Sequence, residues 1–162
     1  MQRFTAPFLL MLLLLAFTPS GFTQSGTRFS HTIQTDAAPA RIWQLWADVP
    51  GWPAWDSGLR EARLDGPFAA GAKGRLRPDR GPAARFVITA LDPGRSYTFR
   101  SAIPFGGLYV KRTLSVQNGQ TVFTHEVWFT GPLKGLFGRS LGARYQDLLP
   151  AVMHQLDQLA RR

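Results

Sequence analysis

Seven apolar residues near the C-terminus, Phe137, Leu141, Tyr145, Leu148, Val152, Leu156 and Leu159, are spaced by 4, 4, 3, 4, 4 and 3 positions. That spacing lays one apolar stripe along a helix of roughly six turns. Pro150 falls inside it, and its ring displaces the carbonyl of Gln146, so a kink is expected there. Upstream the period is two. Residues 28–35 (RFSHTIQT) put Phe29, His31 and Ile33 on one face of a strand. Further strands are expected at 59–64, over the alternation Lys73, Arg75, Arg77, at 86–91, and through Tyr97, Phe99, Ser101 and Ile103, which share a face. Asp92-Pro93-Gly94 separates two of these, with Pro setting φ and Gly permitting a positive one. Residues 108–116 and 122–130 flank Asn118-Gly119, a strong hairpin signal.

Between the first strand and the rest, Asp36 is expected to cap a short helix with Pro39 in its first turn and Ile42, Leu45 and Trp46 on its buried face. Pro50, Gly51 and Pro53 then break the aromatic segment that ends at Asp56. The order predicts an α+β domain. A curved antiparallel sheet of about six to seven strands, with two short helices after the first strand, wraps on a long C-terminal helix. That helix is the only element long enough to cover the sheet's apolar face.

Residues 8–17 (FLLMLLLLAF) form an unbroken apolar run behind Arg3, followed by the small and polar TPSGFTQSG. This is the pattern of a secretory signal peptide, with Thr18/Ser20 or Thr23/Ser25 ahead of the cut. The run falls short of the roughly 20 residues of a comfortable membrane span. Neither cut is the preferred Ala-x-Ala, so an uncleaved anchor is the alternative. Residues 1–25 are therefore assigned to this segment and 26–162 to one folded domain, with the protein exported to the periplasm or cell envelope.

Composition adds exclusions. The chain has no cysteine, so disulfides, thiolate metal sites and cysteine nucleophiles are ruled out. Lys and Arg number 19 against 10 Asp and Glu, a formal charge of +9, but the cations are spread along the chain. An exported protein with no basic arm is not read as a nucleic-acid binder; the charge fits either a plain soluble basic surface or weak attraction to an anionic membrane surface. Five Trp and twelve Phe must fill a core or line a cavity.

Pro39-Ala-Arg-Ile-Trp43, Trp46-Ala-Asp48, Trp52-Pro53, Trp55, Asp92-Pro93-Gly94-Arg95, Thr124-His125-Glu126 and Gly131-Pro132-Leu133 occur in this order ahead of the last helix. With that order and spacing, the chain from about residue 28 onward resembles the START/SRPBCC superfamily, within it the polyketide cyclase/dehydrase-like and lipid-transport-like proteins. The resemblance implies a helix-grip fold with a deep cavity between sheet and helix, and no single function.

A cavity there would be lined from the sheet by Phe86, Phe99, Val110, Arg112, His125 and Val127. Trp46 and Trp55 would join from the short helices, and Phe137, Leu141 and Tyr145 from the long one. The expected ligand is small and hydrophobic, lipid-like or aromatic. Catalysis has two candidates. His125 alternates with Phe123, Val127 and Phe129 and so faces the apolar side, as a general base, a ligand anchor or a satisfied core histidine. Arg112 shares the Leu108, Val110 and Leu114 face and needs either an anionic partner or an escape past the sheet's rim. Glu126 lies on the opposite face from His125, so the two are not a pair. His31, His125 and His154 fall in separate elements without metal-ligand spacing, and neither metal nor cofactor is expected. Gly135, Gly138 and Gly142 lack the order of a phosphate loop and are read as close-packing positions. Binding or transport of that ligand is the first reading, a cyclase- or dehydrase-like proton-transfer enzyme using His125 with Arg112 is its rival, and a structural or partner-binding domain whose cavity is filled by its own side chains is the third.

Overall fold

The computed structural model describes residues 20–162. The apolar run 8–17 read as a signal or anchor lies outside the described residues. Eight strands form one curved antiparallel sheet: β1 (Gly21–Ser25), β2 (Arg28–Thr35), β3 (Leu59–Asp65), β4 (Lys73–Pro78), β5 (Ala84–Asp92), β6 (Ser96–Ile103), β7 (Gly106–Gln117) and β8 (Gln120–Thr130). Their order is β1-β2-β8-β7-β6-β5-β4-β3. Helix α1 (Pro39–Ala47) and a 3-10 helix (Val49–Ala54) follow β2, and the 27-residue α2 (Lys134–Ala160) closes the chain. This is the helix-grip architecture, with slightly more strands than the pattern predicts.

The additional strand is β1, built from residues 21–25 (GFTQS), at the end of the segment whose pattern predicts export. It carries no hydrophobic alternation. Its place comes from the backbone ladder it offers to the edge of β2, from Gly21 opposite Thr32 to Ser25 opposite Arg28, with Phe22 against the core. The start of α1 also differs from expectation. Ala38 is the N-cap, Pro39 takes the first helical position, and no side chain caps the turn. Asp36 instead accepts a hydrogen bond from Gln120 Nε2 at 3.1 Å, tying the segment to β8.

The core is aromatic on one side and aliphatic on the other. Trp46, Trp52, Tyr97 and Phe123 are buried between the short helices and β6 and β8. Trp52 Nε1 donates to the Trp46 carbonyl at 2.9 Å, fastening the 3-10 helix to α1. Leu149, Val152, Met153 and Leu156 of α2 are sealed into the same core. The first half of α2 is not sealed: Phe137, Leu141, Tyr145 and Leu148 are half-buried. Thus the stripe runs as predicted, but its N-terminal part stands over a space. Pro150 sits within α2 and supplies no N–H to the Gln146 carbonyl. Gly138 and Gly142 allow α2 to cross β2 at close range. A Cβ on Gly142 would stand 2.6 Å from the Phe29 ring, and one on Gly138 2.8 Å from Thr27.

Candidate functional site

Alternation along three central strands determines what meets α2. Phe99 and Ser101 of β6, Val110 and Arg112 of β7, and His125 and Val127 of β8 all face inward. Leu141, Tyr145, Leu148 and Val152 look back at them from α2. Between lies a cavity of about 250 Å³. Among its lining residues, Arg80 and Ala102 are exposed and mark where it opens.

Inward of the opening the wall is mostly apolar, and its charged side chains gather at one buried end. Arg112 is 1% exposed, and its guanidinium sits inside an aromatic cage. The ring centroids of Trp55, Trp52, Tyr97 and Phe99 lie 4.7, 4.8, 5.5 and 6.0 Å away. One Nη donates to the Tyr97 hydroxyl, and the other stands 3.6 Å from Asp56 Oδ2. Asp56 Oδ1 accepts the Gly58 N–H at 3.0 Å, which fixes the carboxylate where the 3-10 helix runs into β3. Arg112 therefore takes the first of the two courses expected of it, an anionic partner. It does not leave past the rim, and its anionic partner is part of the protein.

Burial governs the titration of this end. It pushes the Asp56 carboxyl up, against the opposing pull of Arg112. It raises the Tyr97 hydroxyl to about 12 despite Arg112 beside it, and likewise Tyr145 to about 12. His125 stands opposite Arg112 on one side and His31 on the other. Burial first, then the Arg112 charge and His31, hold its imidazole well below the usual 6.5, so it is neutral at pH 7. Two lining residues keep a buried polar atom without a hydrogen-bond partner: Ser101 Oγ and Arg112 Nε. At the opening, Arg144 of α2 pairs with Asp79, at the end of β4, and this contact holds the Asp79 carboxyl below its ordinary range.

Of the residues named from sequence, Phe99, Val110, Arg112, His125, Val127, Leu141 and Tyr145 line the cavity together. Trp46, Trp55, Phe86 and Phe137 do not. Trp46 packs edge-on against Tyr97 and Phe123, Trp55 lies against the Arg112 guanidinium, Phe86 stacks on Trp52, and Phe137 stacks on Phe129. Inward-facing bulk is the same signal for core and for cavity wall; Trp46, Trp55 and Phe86 fill the core, and Phe137 packs half-buried against it. Asp56, Ser101 and Arg144 were missed as site residues. Ser101 was already on the inward face of its strand, and a buried arginine called for a carboxylate. Nothing in the spacing singled out Asp56, which sits in the turn-rich segment. Glu126 pairs with Arg28 on the outer face, as its parity requires. His154 is exposed on α2, and no group of side chains suited to a metal exists among the described residues.

Solved structures share this architecture. A protein from Arthrobacter aurescens is 16% identical with a TM-score of 0.64, over 87% of this chain and 91% of that one. A Helicobacter pylori protein superposes with a TM-score of 0.70 at 10% identity, over 82% of this chain and 86% of that one. The di-domain ARO/CYC protein StfQ from the steffimycin biosynthetic pathway gives 0.68 at 11% identity, over 83% of this chain and 50% of StfQ. No protein of curated function matches. The model of the family described as polyketide cyclase / dehydrase and lipid transport matches residues 26–162, so the chain belongs to that family.

Proposed function

We propose that this protein binds and carries a small hydrophobic molecule with one polar group, held between the sheet and α2. The observation that carries this reading is the apolar cavity with two unpartnered polar atoms in its wall, Arg112 Nε at the buried end and Ser101 Oγ further along β6. Size narrows the ligand class. Cavities of about 150 Å³ take up a benzene ring, and sites for drug-sized ligands start at about 300 Å³. At about 250 Å³ the space suits a one- or two-ring molecule or a short acyl chain better than a diacyl lipid. With Arg112 balanced by Asp56 and His125 neutral, the buried end favours a hydroxyl or carbonyl over a full anion.

Native mass spectrometry of the purified protein is expected to show a small adduct that is lost on denaturation. Leu141→Trp, which places bulk in the cavity from a half-buried position, is expected to abolish the adduct and leave the melting curve cooperative. A variant that keeps the adduct would put the ligand elsewhere. A second reading is favoured by His125, a neutral imidazole in the cavity wall facing Arg112: proton transfer of cyclase or dehydrase type. In a carrier, His125→Gln leaves affinity within a few-fold, because one neutral hydrogen bond contributes about 1 kcal/mol net. Intact affinity with a turnover loss of roughly 10²–10⁴ would establish the enzyme instead.

The reading places the protein in the cell envelope, supported by Arg3 and the apolar run 8–17. Of the two cuts compatible with the sequence, the one following Ser20 preserves β1, while the one following Ser25 strips it and bares the β2 edge. N-terminal sequencing of envelope protein is expected to begin at Gly21. A start at Met1 would favour the anchor, and a start at Gly26 would show that β1 is dispensable.

A further inference from the structure

The exposed large apolar side chains among the described residues are Phe105, Val116, Leu133 and Leu136, at 78%, 60%, 37% and 53% exposure. Val116 stands alone near the far end of β7. The other three are gathered at one place. Phe105 forms the turn between β6 and β7, and Leu133 and Leu136 belong to the first turn of α2 and its cap. Gly131 joins the two segments: a Cβ there would stand 2.2 Å from the Phe105 carbonyl oxygen. Phe105 also has a φ of 57°, in the left-handed region that a bulky side chain ordinarily avoids. The chain thus holds a phenyl ring out into water at a strained turn, where glycine or asparagine would relieve the backbone.

Position and charge say what this tip meets. Ala102, Ile103 and Leu108, the cavity's lining residues on either side of the turn, connect it directly to the open side of the cavity. No Asp or Glu occurs in residues 93–125 or 127–146. Lys134 and Arg139 are exposed beside Leu133 and Leu136, and Arg100 donates to the Gly106 carbonyl at 3.0 Å, so its charge stands at the turn. Scattered exposed apolar residues need no explanation; a cluster ringed by cations and free of acids is suited to an anionic lipid interface.

We propose that Phe105, Leu133 and Leu136 form a membrane-docking tip that inserts into the interface of an anionic bilayer. Lys134 and Arg139 lie on the headgroups, and the open side of the cavity is turned toward the lipid. The tip stands on its own geometry, independent of which ligand the cavity takes.

Because the chain has no cysteine, single-cysteine variants of the full chain report on it cleanly. Phe105→Cys, Leu136→Cys and Val116→Cys are each labelled with an environment-sensitive fluorophore. Each is then mixed with phosphatidylcholine vesicles lacking or containing phosphatidylglycerol. A blue shift at 105 and 136 on the phosphatidylglycerol vesicles, with none at 116, is expected. Lys134→Gln and Arg139→Gln are each expected to weaken that binding about fivefold, the contribution of one cation near an anionic surface. An absent shift at 105 and 136, or an equal shift at 116, would overturn the docking tip. So would a shift that needs no vesicles and grows with protein concentration, since a second copy would then cover the surface. Adduct detection in vesicle-free protein is untouched by any of these results, so the tip and the cavity fail separately.

Discussion

Asp56→Ala is expected to lower the unfolding free energy by about 3–5 kcal/mol, the usual loss when one member of a buried ion pair is removed. The side chain of Arg112 is 2% exposed and that of Asp56 13%, so the guanidinium left behind could not be rehydrated without opening the core. Its aromatic cage would soften the loss, since Trp55 and Trp52 still lie 4.7 and 4.8 Å from it, but ring quadrupoles contribute less than a desolvated charge costs. The same substitution strands the Gly58 N–H, which now donates to Asp56 Oδ1. Urea denaturation should therefore show a lower midpoint for Asp56→Ala. The double variant Asp56→Leu with Arg112→Met should recover much of it, because apolar groups of similar volume replace a buried pair at little cost. If the double variant folds stably and no longer takes up the ligand, the pair is retained for recognition and not for stability. An unchanged midpoint in Asp56→Ala would mean that water reaches Arg112.

These same residues show what the sequence could and could not convey. Periodicity is a property of neighbours along the chain, so the α2 stripe and the inward parity of His125, Arg112 and Ser101 could be read directly. The hairpin at Asn118-Gly119 was legible for a similar reason: Asn118 and Gly119 adopt the positive φ values, 51° and 79°, that the turn demands. β1 was not, because GFTQS joins the sheet through backbone hydrogen bonds and carries almost no side-chain signal. The Asp36 cap failed because a tertiary acceptor role, toward Gln120, outcompeted the local one. Asp56 was invisible as a partner of Arg112 since only the folding of the 3-10 helix beneath β7 brings them together. Trp46 and Trp55 were assigned to the cavity because alternation and bulk say that a residue is inside, without saying whether another residue or a void stands opposite.

Stability is expected to fall as the pH drops below 6.5, and His125 should carry most of the fall. Its folded value lies well below the ordinary 6.5, so its contribution is complete above 6.5 and is lost as pH descends toward the folded value. In that window the unfolded chain binds a proton that the native state refuses, so each step down in pH favours unfolding. His31, lowered by burial on the adjoining strand, acts in the same direction. Asp56 acts in the opposite one. Its folded value is raised above 3.8, so its contribution is full below 3.8 and lost as pH rises through the folded value. The stability curve should accordingly descend from neutral pH; at its acid end Asp56 opposes the descent, while Asp79, whose value is lowered, adds to it. Urea midpoints measured between about pH 7 and about pH 5 check the first part. His125→Gln keeps a polar group in place and removes the titration, so its curve should be markedly shallower over the same range. Parallel curves for the two proteins would show that His125 accepts its proton in the native state, and the cavity would then carry a positive charge that the carrier reading does not allow.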